Sequence, residues 1–336
     1  SALLQKAYGL FYWSINFGSF FSFLVIPWLK QEWGYRLAFG VPGVLMLIAT
    51  AIFWLGRKHY TMIPPARETK SAGFLQVTSY ALARLGRRQP GQSMWEVARQ
   101  RFSEREVDAA RSVGPILAVF APITIFWALF DQTSSTWVMQ GSKMVPMQLT
   151  RTFAIGAEQM QSMNPALVMI LVPLTLWLYP RIEKLFHVRV SPLRRMGTGM
   201  ILASLAYVVV GLLQTRVDTG AQISVLWQTL PYAILTTAEV LISTTGLEFA
   251  FTQAAAEMKS TIMSFWLLTV AVGNLFVPLI TKFKGALIAA PAGEAGSAAV
   301  SVSTFYLYAG LTFAVAIIFM VVALGYKERK LELTSR

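Results

Sequence analysis

Residues 196 to 214 read MGTGMILASLAYVVVGLLQ, without a single charged side chain. A helix that crosses a membrane needs roughly 20 mostly apolar residues, because the hydrocarbon core is about 30 Å thick and each residue rises about 1.5 Å. This stretch has that length. Its charges stand outside it, Arg194 and Arg195 before and Arg216 after. Working outward, seven further stretches meet the same criterion, at about 4–29, 36–56, 113–138, 157–180, 222–247, 260–281 and 302–325. Pro27, Pro42, Pro122, Pro173 and Pro278 fall inside them. Proline breaks soluble helices, but spans tolerate it where neighbouring helices satisfy the freed backbone groups. The reading is an all-α membrane protein with eight transmembrane helices.

Composition agrees. Of 336 residues 55% are hydrophobic and 13% charged, about half the charged share of an ordinary soluble domain. The formal net charge of +13 comes from 29 Lys and Arg against 16 Asp and Glu. Most of this charge lies between the apolar runs, with no basic stripe interleaved with aromatics of the kind that tracks a phosphate backbone, so nucleic acid is not an expected partner. There is no cysteine, which removes disulfides, thiolate chemistry and Cys-based metal sites. The chain opens into a spanning pattern at Ala2 without a basic head or a cleavage site. That abrupt start predicts further helices ahead of it.

Basic residues set the orientation, because they gather in cytoplasmic loops. With the first span starting in the cytoplasm, that side receives Lys6, the eleven basic residues from Arg57 to Arg111, Arg181, Lys184, Arg189, Arg194, Arg195, Lys259, Lys327, Arg329, Lys330 and Arg336. The other side receives only Lys30, Arg36, Lys143, Arg151, Arg216, Lys282 and Lys284. Both ends are therefore expected in the cytoplasm. The domain reading is 1–56 for two helices of a first bundle, 57–112 for a basic cytoplasmic linker, 113–326 for a six-helix bundle and 327–336 for a cytoplasmic tail. Within the linker, which also carries Pro64-Pro65, Ser103-Glu104-Arg105-Glu106 has capping-box spacing and predicts one short amphipathic helix. Six spans after a linker and two before it suggest a transporter of two six-helix halves, cut four spans into its first half.

No G-x-x-x-x-G-K-[ST] loop is present to cradle a nucleotide. The two histidines, His59 and His187, fall in loops, so neither metal clusters nor a histidine relay is expected. A transmembrane proton must therefore ride on carboxylates. An ionised group at mid-membrane costs roughly 3 kcal/mol on insertion scales, which singles out Asp131, Glu239 and Glu248. Glu239 is the deepest, and Ser243 lies one turn further on the same face. Burial disfavours its charge and a nearby cation favours it, so its partner must alternate. Asp131 lies four residues after Trp127, nearer the outer end, and reads either as half of an ion pair or as a water-exposed carboxylate. Glu248 lies at the cytoplasmic end of its span, where a structural role competes with a transport role. Asn164-Pro165 reads equally as a helix start and as an amide ligand within a span.

Phe11-Tyr12-Trp13-Ser14-Ile15-Asn16-Phe17-Gly18-Ser19 resembles the aromatic and Asn-x-Gly signature in the fifth helix of the proton-dependent oligopeptide transporters, a branch of the major facilitator superfamily. Ala38-Phe39-Gly40-Val41-Pro42 resembles the sixth helix, and Phe126 to Gln140 the seventh. Gly246-Leu247-Glu248-Phe249, Met258-Lys259-Ser260 and Ser264-Phe265-Trp266-Leu267-Leu268-Thr269 resemble the junction of the tenth and eleventh. Phe251-Thr252-Gln253-Ala254-Ala255 departs from the family's Tyr-x-Gln-Ala-Pro, losing a hydroxyl and a helix-breaking proline.

The resemblance implies a major facilitator-type bundle covering helices five to twelve, and a proton-coupled symporter that imports di- and tripeptides. It implies no enzyme activity, catalytic residue, metal or cofactor, with the proton gradient as the drive. Its implied substrate cavity is lined by Tyr12, Trp127, Asn164, Glu239, Ser243 and Trp266. Glu239 and Asn164 would face the peptide amino terminus, Trp127 and Trp266 would shape side-chain pockets, and Tyr12 would bond the peptide backbone. Proton coupling and gating would fall to Glu239 and Asp131, the latter paired with an arginine of the first helix. The missing first four helices would carry the Glu-x-x-Glu-Arg motif and a lysine of the fourth. The expected partners are peptides, protons, the lipid bilayer and those helices, and the expected place is a bacterial inner membrane. A transporter of another solute, or a non-transporting receptor or channel, remains open from the residues alone.

Overall fold

The computed structural model describes residues 2–62, 72–87, 89, 91–187, 190–287 and 300–326; Pro64-Pro65, Arg189 and the tail 327–336 lie outside the described residues. Among the described residues seven helical segments are long and apolar enough to cross a membrane, the first of them two helices joined across a kink. Helix α1 runs Ala2–Gly56, 55 residues, and takes in both of the first two expected spans. At about 1.5 Å per residue that is far more than one crossing requires. It is broken at Gly34, whose φ of 77° and ψ of −178° are not helical. That backbone region is essentially closed to residues with a Cβ, so glycine is what permits the break.

Three short helices follow where one was expected: α2 (Phe74–Ala83), α3 (Met94–Ala98) and α4 (Glu104–Arg111). Ser103 and Glu106 form the expected capping box at α4, and Ser93 and Glu96 form a second one at α3. In each, the Ser oxygen and the Glu carboxylate satisfy amide groups left open at a helix start. Val77 and Ala81 of α2 and Val107 and Ala110 of α4 are buried. Phe74 meets Phe265 edge to face at 5.6 Å. The Arg105 guanidinium pairs with Glu257 at 2.5 Å, tying α4 to the turn that ends α9.

The third expected span is not continuous either. Helix α5 is Val113–Phe130, a tight turn covers Asp131–Ser134, and α6 is Thr136–Gly141. Gln132-Thr133-Ser134-Ser135 explains the break, because short hydroxyl side chains compete for backbone groups. The hydroxyls of Ser135 and Thr136 both donate to the Gln132 carbonyl. A two-residue hairpin pairs β1 (Met147–Gln148) with β2 (Ala154–Ile155).

The remaining helices are α7 (Met163–Phe186), α8 (Pro192–Asp218), α9 (Thr229–Gln253), α10 (Lys259–Leu287) and α11 (Val302–Gly325). Helix α8 packs against α9 and α11, α10 against α5 and α9, α7 against α9, and α11 against α5. Their core holds Trp137, Tyr207, Tyr232 and Tyr308, all buried. Trp137 meets Tyr232 edge to face at 4.9 Å and Tyr207 at 5.9 Å. Helix α9 leaves the helical conformation at Ala254 (φ −71°, ψ 138°), so the turn forms without the proline that the resemblance led one to expect.

Candidate substrate and proton site

Glu239 is the eleventh of the 25 residues of α9, about 15 Å along its axis and therefore near the middle of a crossing. It is half-buried. Its Oε2 accepts a hydrogen bond from Asn164 Nδ2 at 2.6 Å. The same nitrogen donates to Thr236 Oγ1 at 3.2 Å. Asn164 is the second residue of α7, which has no side-chain cap. Its amide thus reaches across to α9 rather than closing its own helix start.

Ser243 was expected beside the Glu239 carboxylate, but the hydroxyl found there is Thr236. Helical side chains lean toward the N-terminal turn, so Glu239 extends back over Thr236, three residues earlier, and away from Ser243. Ser243 is half-buried and makes no hydrogen bond among the described residues. Tyr12 of α1 lies within electrostatic reach of Glu239, while its neighbour Asn16 donates to the Tyr12 carbonyl at 2.9 Å. Helix α1 packs on α7 and on the turn Gln159–Ser162 that precedes it. Tyr12, Asn164, Thr236 and Glu239 therefore belong to one neighbourhood.

Trp127 of α5 and Trp266 of α10 come together, with ring centroids 6.5 Å apart and nearly perpendicular. Trp266 is 3% exposed and also meets Phe120 at 5.2 Å. A Cβ on Gly246 would stand 2.1 Å from Trp266 Cη2, so the far edge of the indole sits against the bare backbone of α9. Trp266 is thus packed between helices rather than set on an open wall. The buried Trp127 Nε1 has no hydrogen-bond partner and is an unused donor.

Asp131 caps the C-terminal end of α5 and is half-buried. That end of a helix carries negative partial charge, so a carboxylate there calls for a cation. It is in no ion pair among the described residues. Glu248 is paired, with its Oε2 3.0 Å from Arg195 Nη2. Arg195 also lies over the Tyr179 ring at 4.9 Å. This joins α8 to α9 inside one bundle and favours the structural role for Glu248.

Sequence reading missed an ion pair. Lys30 Nζ lies 2.5 Å from Glu158 Oε1, and beside it Trp28 Nε1 donates to the Thr152 carbonyl at 3.1 Å. Partners more than 120 residues apart carry no local signal. His59 ends a short turn after α1, and His187 ends α7 with φ 52°; both are exposed.

The family model described as PTR2, POT family, matches residues 2–290. Peptide transporter 3 of Caenorhabditis elegans is 35% identical over 228 residues, 64% of this chain and 32% of that protein. Solute carrier family 15 member 2 of Homo sapiens is 32% identical over 226 residues, 64% of this chain and 31% of that protein. The chain thus spans about a third of the length of these curated relatives. The crystal structure of an auto-inhibited POT family peptide transporter aligns with a TM-score of 0.83 and 34% identity, over 98% of this chain and 72% of that one. The in meso structure of the POT family transporter PepTSo gives 0.83 and 37%, over 97% and 72%. With a broken α1, a six-helix bundle and a family match over most of its length, the chain belongs to the POT family of membrane transporters.

Proposed function

We propose that this chain is part of a proton-coupled symporter that imports di- and tripeptides by alternating access. The observation that carries the reading is Glu239, a carboxylate at mid-span whose one direct partner among the described residues is the neutral amide of Asn164. A mid-membrane carboxylate is costly unless it is protonated or meets a cation. The amino terminus of a peptide is such a cation, and it competes with the proton for the same group. A ligand with different affinity for two states shifts the balance between them, which is what coupling requires. Asn164 orients the carboxylate, and Tyr12 approaches from α1. Trp127 and Trp266, packed edge to face, back the cavity wall in this reading.

Asp131, at the break between α5 and α6, is the gating carboxylate in this reading, and its cation comes from a helix that this chain does not contain. No cofactor or metal takes part; the proton gradient drives the cycle. The basic residues of 57–112 and 181–195 face the cytoplasm, which puts both ends there, in a bacterial inner membrane. The curated relatives named as peptide transporters support the substrate class. The test is uptake of labelled dialanine into proteoliposomes that contain the full-length protein. Accumulation driven by an inward proton gradient, and abolished by a protonophore, is the expected result. Gradient-independent equilibration would favour a channel, and no uptake of any di- or tripeptide would favour another solute.

A further inference from the structure

We propose that Thr236 is a positioning residue that holds the Asn164 amide across the Glu239 carboxylate through both of its protonation states. The proposal rests on the reading of Glu239 given above. Helix α9 has six threonines, at 229, 236, 237, 244, 245 and 252, and their hydroxyls are used differently. Thr237 and Thr244 donate back to the carbonyls four residues earlier, Ala233 and Val240, at 2.7 and 2.6 Å. Thr252 donates to Phe249. Thr236, 1% exposed, is the one whose hydroxyl is met by a side chain of another helix.

The geometry gives that hydroxyl a specific task. Asn164 Nδ2 carries two hydrogens, one directed to Glu239 Oε2 and one to Thr236 Oγ1. An ionised carboxylate only accepts, so it requires the NH2 side of the amide; once protonated it also donates, and the amide oxygen becomes a possible partner. A threonine hydroxyl both donates and accepts, so it bonds whichever side of the amide is turned toward it. Thr236 therefore keeps Asn164 anchored to α9 while the proton on Glu239 comes and goes. Valine has the same shape and neither ability. In its place the amide has only Glu239 to hold it and a buried polar group goes unpaired, which is the costly case for hydrogen bonds.

The test compares dialanine with N-acetyl-dialanine, binding being measured on the full-length protein for wild type, Thr236→Val, Thr236→Ser and Glu239→Gln. Thr236→Val should weaken dialanine about tenfold, the worth of one such bond, and N-acetyl-dialanine less than about twofold. Thr236→Ser, which restores the hydroxyl, should recover most of the loss. Equal losses for both peptides in Thr236→Val, or no recovery with serine, would mean simple packing and overturn the proposal. If Glu239→Gln discriminates between the peptides and Thr236→Val does not, the proposal fails alone. If Glu239→Gln affects both peptides alike, the reading of Glu239 fails and this proposal with it.

Discussion

Within this chain, helix α1 and the central helices α5, α8 and α9 are held differently. Of the most apolar window, 6% is buried in α1, against 56% in each of α8, α9 and the segment containing α5, with α11 at 33%, α10 at 22% and α7 at 11% between them. The bundle is closed by interlocking side chains, with Trp266 pressed onto Gly246 and Trp137 wedged between Tyr207 and Tyr232. The polar contacts of α1 with the bundle fall just before its break at Gly34: Lys30 with Glu158, and Trp28 with Thr152. An exposed ion pair contributes about 0–1 kcal/mol, so Lys30 and Glu158 add little to holding α1 on the bundle.

The largest expected effect is inside the bundle. Gly246→Ala places a methyl group within the Trp266 ring and should cost about 3 kcal/mol, the upper range for overpacking. Gly40→Ala in α1 meets nothing within 4 Å inside this chain and should cost less than Gly246→Ala. Thermal unfolding of the two purified variants checks this, and similar losses in both would break the contrast. Trp266→Ala belongs on the same scale, at about 3–5 kcal/mol. With Trp266 buried, its removal should lower uptake of small and bulky dipeptides alike. Trp127→Ala should instead raise the KM for bulky dipeptides more than for dialanine.

A smaller effect lies at the broken third span. Asp131→Asn keeps the shape at the end of α5 and removes the charge, so proton-driven uptake should fall several-fold while peptide binding in detergent stays within about twofold. Loss of binding along with the charge would make Asp131 a ligand rather than a latch. The smallest effect on stability is expected at the junction itself. Lys30 and Glu158 have side chains 31% and 38% exposed, so Lys30→Ala should change stability by less than about 1 kcal/mol. It should nevertheless speed opening on that side, read as faster labelling of a single cysteine introduced near Thr152. These 336 residues contain no cysteine of their own. An unchanged labelling rate would mean that the pair holds nothing shut.

The spans were legible because an apolar run of that length has few other uses, and Glu239 because a carboxylate inside one is expensive. The division between the first two spans was legible too, because Lys30, Gln31, Glu32 and Arg36 interrupt the apolar pattern there. The break at Asp131 was not, because Trp137-Val138-Met139 beyond it restores the apolar pattern and the run reads as one span. The hydroxyl beside Glu239 was misassigned to Ser243 because helical periodicity gives two neighbours on one face, and the lean of side chains toward the N-terminus selects Thr236. Glycine at 246 is visible in the sequence, but its reason, the Trp266 ring across the interface, is not. The Lys30–Glu158 pair joins residues far apart in the chain and has no signature at either end.

The most direct test of the coupling role of Glu239 compares two assays of one variant, Glu239→Gln, reconstituted as the full-length protein. Proton-driven accumulation of dialanine requires a group that exchanges a proton for the peptide amino terminus. Exchange of labelled for unlabelled dialanine across the same membrane, at equal pH, requires only binding and the conformational change. If Glu239 is the coupling group, Glu239→Gln loses gradient-driven accumulation and retains measurable exchange at raised dialanine concentration. Wild-type accumulation under the gradient in Glu239→Gln would contradict that role outright.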